Sequence, residues 1–186
     1  MTGERLRKAT LADAAAIASL VNHFARQGLM LPRTPFETAE CIRDFVVAES
    51  AGRIVGVVAL RIYTRTAAEV RSLAVDPAVQ ARGLGRRLVA SVEADALHLG
   101  LSQLFAFTYV PAFFRKLGYA EVDRARLPLK AWKDCLTCPK FTACDEIAVE
   151  KQLIGEENRP VDPLEGGYAE LPILAPSRRL PYPESE

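Results

Sequence analysis

The stretch from Glu69 to Leu97, EVRSLAVDPAVQARGLGRRLVASVEADAL, constrains this chain more than any other. Val70, Leu73 and Val75 sit among small and apolar residues and predict a strand. Asp76-Pro77 stops that strand and starts a turn. After Gln80-Ala81-Arg82-Gly83-Leu84-Gly85, the residues Leu84, Leu88, Val89, Val92 and Ala96 recur at helical spacing. A glycine-bearing loop at a helix start leaves backbone N–H groups without intrahelical partners. With the positive end of the helix dipole, those donors suit a phosphate group. Gly83 and Gly85 are expected to permit positive φ and close approach by a ligand. Arg82, Arg86 and Arg87 add cationic reach. The pattern is not a P-loop, since no Lys-Ser/Thr follows the second glycine. Nor is it the dinucleotide GxGxxG, since Leu88 holds the third glycine position.

The rest of the chain is an ordinary setting for one such unit. Its 186 residues suffice for one sizeable domain plus extras. Its 24 Lys and Arg nearly balance 23 Asp and Glu, so no nucleic-acid-binding field is implied. No apolar run approaches the roughly 20 residues of a membrane helix. The start, MTGERLRKAT, lacks a signal-peptide core, so a soluble cytoplasmic protein is expected, without membrane or nucleic-acid partners.

In order, Arg5–Ala9 predicts a strand, and Thr10-Leu11-Ala12-Asp13 has the shape of a capping box with Asp in place of Glu. A helix follows with Ile17, Leu20, Val21 and Phe24 on one face, ending by Gly28. A loop with Pro32 and Pro35 leads to a second helix over Phe36–Arg43. Phe45–Glu49 and Arg53–Arg61 predict a hairpin turning at Ser50-Ala51-Gly52. Beyond the helix ended by Gly100 come a strand at Gln103–Phe107 and a short helix at Pro111–Leu117 closed by Gly118. Tyr119–Val122 and Glu146–Lys151 predict the last strands. Residues 1–154 are expected to form one domain, with a Cys-rich insert at 132–145. Residues 155–186 hold half of the 12 prolines and predict a tail, with Leu171-Pro172-Ile173-Leu174 as an alternative partner-binding arm.

Gln80, Gly83 and Gly85, after a strand ending in Val75-Asp76-Pro77, resemble the acyl-CoA motif of the GNAT acetyltransferases. The resemblance implies an α/β (α+β) fold of GNAT acyl-CoA N-acyltransferase type, a central mixed, mostly antiparallel sheet flanked by helices. It implies acetyl-CoA as cosubstrate, with the pyrophosphate at Gln80, Ala81, Arg82, Gly83, Leu84, Gly85 and Arg86 and the pantetheine along Leu73, Ala74 and Val75. Phe114 is counted among the cosubstrate contacts. Many GNAT enzymes carry a tyrosine at the position of Phe114, as the acid for the leaving thiolate. Its absence leaves Tyr109 or water for that step.

Acetylation of an amine needs positioning, a base and an oxyanion donor. Glu69 lies four residues before Leu73, so strand alternation puts both on one face, where a carboxylate would reach the reaction centre. The alternative is a surface glutamate at a strand start. Gly28–Arg33, Ala59-Leu60-Arg61, Ala68–Val75 and Leu104–Thr108 more closely resemble the N-acetylglutamate synthases in their form without a kinase-like domain. That resemblance implies Glu69 as base through water, Arg33 as carboxylate clamp, and Ser72 and Thr108 as hydrogen-bond partners of a small amino-acid substrate, L-glutamate. Arginine forks bind carboxylates bidentately, so Arg33, Arg61 and Arg71 are all candidates. Alternation puts Glu69 and Arg71 on one face and Ser72 on the other unless a bulge re-aims a residue. Another amine acceptor, or a CoA-binding sensor without turnover, are the rival readings.

Cys135, Cys138 and Cys144 form C-x2-C-x5-C, whose thiolates suit a structural zinc. A fourth ligand would come from Asp145, Cys41, His23, His98 or water. Reduced thiols and a redox disulfide are the alternatives. An exposed final strand would invite a homodimer by edge pairing.

Overall fold

A computed structural model of the chain describes residues 3–127, 138 and 140–155. They form a seven-stranded sheet in the order β1-β2-β3-β4-β5-β7-β6. The strands are β1 (Arg5–Lys8), β2 (Phe45–Ser50), β3 (Arg53–Ile62), β4 (Ala67–Val75), β5 (Gln103–Thr108), β6 (Ala120–Glu121) and β7 (Ile147–Gln152). The helices are α1 (Ala14–Ala25), α2 (Pro35–Glu40), α3 (Leu84–His98) and α4 (Pro111–Arg115). Every strand pair is antiparallel except β4–β5, which α3 connects. This is the expected mixed, mostly antiparallel sheet.

β3 shows why the sheet is central. Its run Val55–Leu60 is buried throughout, as a strand covered on both faces should be. Leu84, Leu88, Val89, Val92 and Ala96 lay α3 on one face, against Val46, Val58 and Val70. Ile17 and Val21 lay α1 on the other, against Phe45, Val47, Val57 and Ala74. Each fully buried side chain of this kind contributes roughly 1.5–3 kcal/mol. Gly56 sets the approach of α3: a Cβ there would lie 3.0 Å from Leu88 Cδ1 and 3.3 Å from Leu84 Cδ2.

α1 begins where its capping sequence predicts. Asp13 accepts from the Thr10 backbone N–H at 2.7 Å and from its hydroxyl at 3.0 Å. Arg7 anchors the same carboxylate through two nitrogens, at 2.7 and 2.9 Å, and this holds the Asp13 carboxyl far below its ordinary pKa.

Two expectations are corrected. α2 ends at Glu40, and residues 42–44 form a 3-10 turn. β7 is interior, between β5 and β6, so edge pairing through the final strand has no support. No helix among the described residues is long and apolar enough to cross a membrane.

Candidate active site

Two features open the sheet at its centre. β4 and β5 pair only from Ala67–Glu69 against Gln103–Phe105, although β4 runs on to Val75 and β5 to Thr108. The strands part beyond Glu69 and leave a wedge whose β4 wall includes backbone of residues 70–75. The second feature is a β-bulge. Val57 pairs with Ala74 but Ala59 pairs with Arg71, so two residues of β4 oppose Val58 alone. Ser72 takes φ +53° at this point.

The bulge changes which side chains share a face. Before it, Ala68 and Val70 join the α3-side core, and after it Leu73 and Val75 pack there instead of alternating away. Glu69 therefore does not share a face with Leu73, contrary to the simple count of four. It lies on the α1 face with its cross-strand partner Arg61 and with Arg71. Glu69 is 3% exposed, and it accepts from the Tyr63 hydroxyl at 3.2 Å. Arg71 Nη1 is 4.0 Å from the same carboxylate. Tyr63, a Glu69 partner that motif reading missed, packs on Phe105 at 5.5 Å between ring centroids. Two aromatic residues flanking a strand end give no sequence signal of such a contact.

Along the same face opens a cleft of about 360 Å³, lined by Arg33, Arg61 and Arg71 and by Glu37, Glu40 and Asp44, among others. The three arginines are in different electrostatic states. Arg61 pairs with Asp44 at 3.1 Å. Arg71 neighbours Glu69. Arg33 forms no ion pair among the described residues; its guanidinium lies over the Phe45 ring at 5.4 Å, and its Nη1 is 3.3 Å from Cys41 Sγ. Glu37 is engaged by the Thr34 backbone N–H and hydroxyl, which lower its pKa.

At the far end of the wedge, the loop after β4 is built by local rules. Asp76 caps a 3-10 turn by accepting from Ala78 N–H at 2.9 Å. Gln80 Nε2 donates to Val75 O at 2.9 Å and ties the loop to the strand end. Gly83 is the N-cap of α3 at φ +77°, with no side-chain cap and no acid in the first turn. Among the described residues, the first amides of α3 thus lack a carboxylate or hydroxyl partner at the cap, as an anion site requires. Arg82 and Arg86 are exposed beside it. Arg87 is turned away, paired with Glu4 at 3.0 Å.

Other expected positions move. The second positive φ of the loop belongs to Ala81, at +63°, not to Gly85. Gly85 instead makes room for a ring: a Cβ there would lie 3.4 Å from Phe113. Phe114, expected beside the cosubstrate, is a core residue 3% exposed between Phe113 and Tyr119. Thr108 follows Leu104 and Ala106 in phase onto the α3 face, and its hydroxyl accepts from Val110 N–H at 3.0 Å. This places it across the sheet from the arginine cleft.

Tyr109 follows directly on the last residue of β5. Its hydroxyl donates to Asp145 at 2.7 Å and accepts from Lys140 Nζ at 2.8 Å. Partial burial raises its pKa; Lys140 pulls it down and Asp145 pushes it up. Asp145 is thereby committed to this cluster, Cys41 to Arg33, and His23 to an edge contact with Phe24. Cys138 and Cys144 are free thiols, and Cys135 lies outside the described residues. Among the described residues no three His, Cys, Asp or Glu side chains gather to hold a metal, so the expected zinc has no support.

Comparison with known proteins adds independent findings. A model of the acetyltransferase (GNAT) domain matches residues 42–121. An uncharacterized N-acetyltransferase of Chlorobaculum tepidum is 43% identical over 148 residues, covering 80% of this chain and 96% of that protein. The amino-acid acetyltransferase of Mycobacterium tuberculosis is 31% identical over 121 residues, 63% of this chain and 69% of that protein. N-acetylglutamate synthase from Neisseria gonorrhoeae, solved with coenzyme A and N-acetyl-glutamate, superposes with a TM-score of 0.75 at 26% identity. That match covers 83% of this chain and 36% of the gonococcal one.

Proposed function

This chain belongs to the GNAT family of acetyltransferases, and on that premise we propose that it moves acetyl from acetyl-CoA to the α-amino group of L-glutamate. One observation carries the proposal: a buried carboxylate, Glu69, shares a sheet face with Arg61 and Arg71 where β4 and β5 part. A cleft bearing both arginines and carboxylates suits a zwitterion, and arginines in excess of one suit an acceptor with a second carboxylate. The gonococcal synthase, with its coenzyme A and N-acetyl-glutamate, supports the same assignment.

On this reading the amides at Gly83–Arg86 hold the pyrophosphate, and the open edge of β4 orders the pantetheine arm. Glu69 takes a proton from the acceptor ammonium, directly or through water, and frees the amine. The amine nitrogen then bonds to the thioester carbon, a β4 backbone N–H steadies the oxyanion, and the carbon–sulfur bond breaks. The nitrogen loses its remaining surplus proton, and the departing thiolate takes one from Tyr109 or water. Arginine biosynthesis by acetylated intermediates opens with this reaction, and we place the protein there.

The test mixes the full chain with acetyl-CoA and a panel of amino acids and amines, following thiol release and product mass. Release with glutamate, forming N-acetyl-glutamate, is expected. Release only with another amine overturns the glutamate assignment and leaves an acetyltransferase. Acetyl-CoA binding with no release from any acceptor indicates a sensor.

A further inference from the structure

We propose that Asn22, on α1, is a positioning residue that sets recognition of the acceptor's carboxylate by fixing Arg33. The inference rests on the amino-acid acceptor reading above. Asn22 Nδ2 donates to Arg33 O at 2.7 Å, and Arg33 N–H donates to Asn22 Oδ1 at 2.9 Å. A side-chain amide thus pairs with both backbone groups of one residue, as a neighbouring strand would. Asparagine carries the donor and the acceptor on one short planar group, which makes the two-point contact feasible.

The segment around Arg33 needs this contact. Residues 29–34 belong to no helix or strand. Leu29 N–H donates to Phe24 O at 3.2 Å, and Thr34 caps α2 by accepting from Glu37 N–H at 3.1 Å. Between those anchors Asn22 makes both backbone bonds of Arg33. The guanidinium is then seated on Phe45 and beside Cys41. Of the three cleft arginines, Arg61 is paired with Asp44 and Arg71 neighbours Glu69, so Arg33 is the one without a carboxylate neighbour at ion-pair distance among the described residues. A fork held in place before the acceptor arrives loses less conformational freedom on binding.

The experiment compares wild type, Asn22→Ala, Arg33→Ala and the double variant by steady-state kinetics, with thermal unfolding as the check on folding. Asn22→Ala is expected to raise KM for the acceptor about tenfold, with kcat and KM for acetyl-CoA within about twofold of wild type, the effect of roughly one lost charge-orienting contact. In the Arg33→Ala background, Asn22→Ala is expected to add less than about twofold, because its effect runs through Arg33. Asn22→Gln, one methylene longer with both polar groups kept, is expected to fall between and serves if the alanine variant does not fold. An unchanged acceptor KM, an equal rise in both KM values, or full additivity with Arg33→Ala overturns the role of Asn22. The wild-type panel separates the two readings. Turnover of a carboxylate-bearing acceptor with variants like wild type sinks Asn22 alone. Turnover confined to acceptors without a carboxylate, or no turnover at all, sinks the acceptor reading and Asn22 with it.

Discussion

The loop at Gly83 and the arginine cleft lie beside the same opening in the sheet, yet they are built by opposite means. The loop is contiguous in sequence, from Asp76 to Arg86, and the groups proposed to meet the cosubstrate there are backbone amides. The cleft draws Arg33 from the segment before α2, Arg61 from β3 and Arg71 from β4, and its chemistry is all in side chains. A backbone site tolerates side-chain change but depends on a few dihedral angles. A side-chain site depends on residue identity more than on backbone detail, and it fails when one partner is moved. Substitutions on the two sides should therefore separate: loop changes in acetyl-CoA affinity, cleft changes in acceptor KM or kcat.

The sharpest test of that division is Glu69→Gln. It removes the proposed base while keeping shape, and kcat is expected to fall by about 10²–10⁴, with acetyl-CoA affinity unchanged in calorimetric titration. A comparable loss of acetyl-CoA binding would erase the distinction. Next in size is Gly83→Ala. No atom lies within 4 Å of a Cβ at Gly83, so bulk is tolerated, but φ +77° is costly for an L-residue. A strain of about 1–2 kcal/mol corresponds to an acetyl-CoA Kd roughly tenfold weaker, with acceptor KM little changed. Ala81→Gly, at φ +63°, is expected to be neutral or mildly favourable and shows that strain is the cause.

Asp13→Asn acts on the base of the helix behind the cleft. Arg7 depresses the folded-state pKa of Asp13, so the stabilisation is present above the unfolded carboxylate pKa of about 4 and fades as pH falls through the interval below it. Urea denaturation is expected to show the variant about 1–3 kcal/mol less stable at pH 7, with the gap narrowing below about pH 4. A gap that widened in acid would reverse the sign. The smallest effect belongs to Tyr109→Phe. Its hydroxyl is shared with Asp145 and Lys140, and a CoA thiolate leaves readily, so kcat is expected to fall only several-fold, well under the roughly 10²–10⁴ of a full proton-transfer contribution. An unchanged rate removes Tyr109 from the mechanism.

Much of this molecule is legible residue by residue. The apolar series Leu84, Leu88, Val89, Val92 and Ala96 gives α3 its buried face. The Thr10–Asp13 capping box opens the 3-10 turn that leads into α1, and Gly83 stands at the start of α3, as the local sequence predicts. What escapes reading is of another kind. The α2 helix is shortened because Cys41 leaves helical geometry, at φ −115° and ψ +29°. Phe113 and Phe114 are adjacent and chemically alike, and only packing decides that Phe113 meets Gly85 while Phe114 fills the core. Tyr63 and Asn22 carry no motif, and their hydrogen bonds reach residues elsewhere in the chain.

The sequence alone determined the strand–turn–helix with its uncapped amides, because glycine, proline and capping side chains act on neighbours a few residues away. Tertiary structure alone decided that Leu73 turns to the α3 core and away from Glu69, which keeps the face it shares with Arg71 by alternation. A strand's two-residue period carries no record of a bulge, and one inserted residue at Ser72 reverses every side chain beyond it.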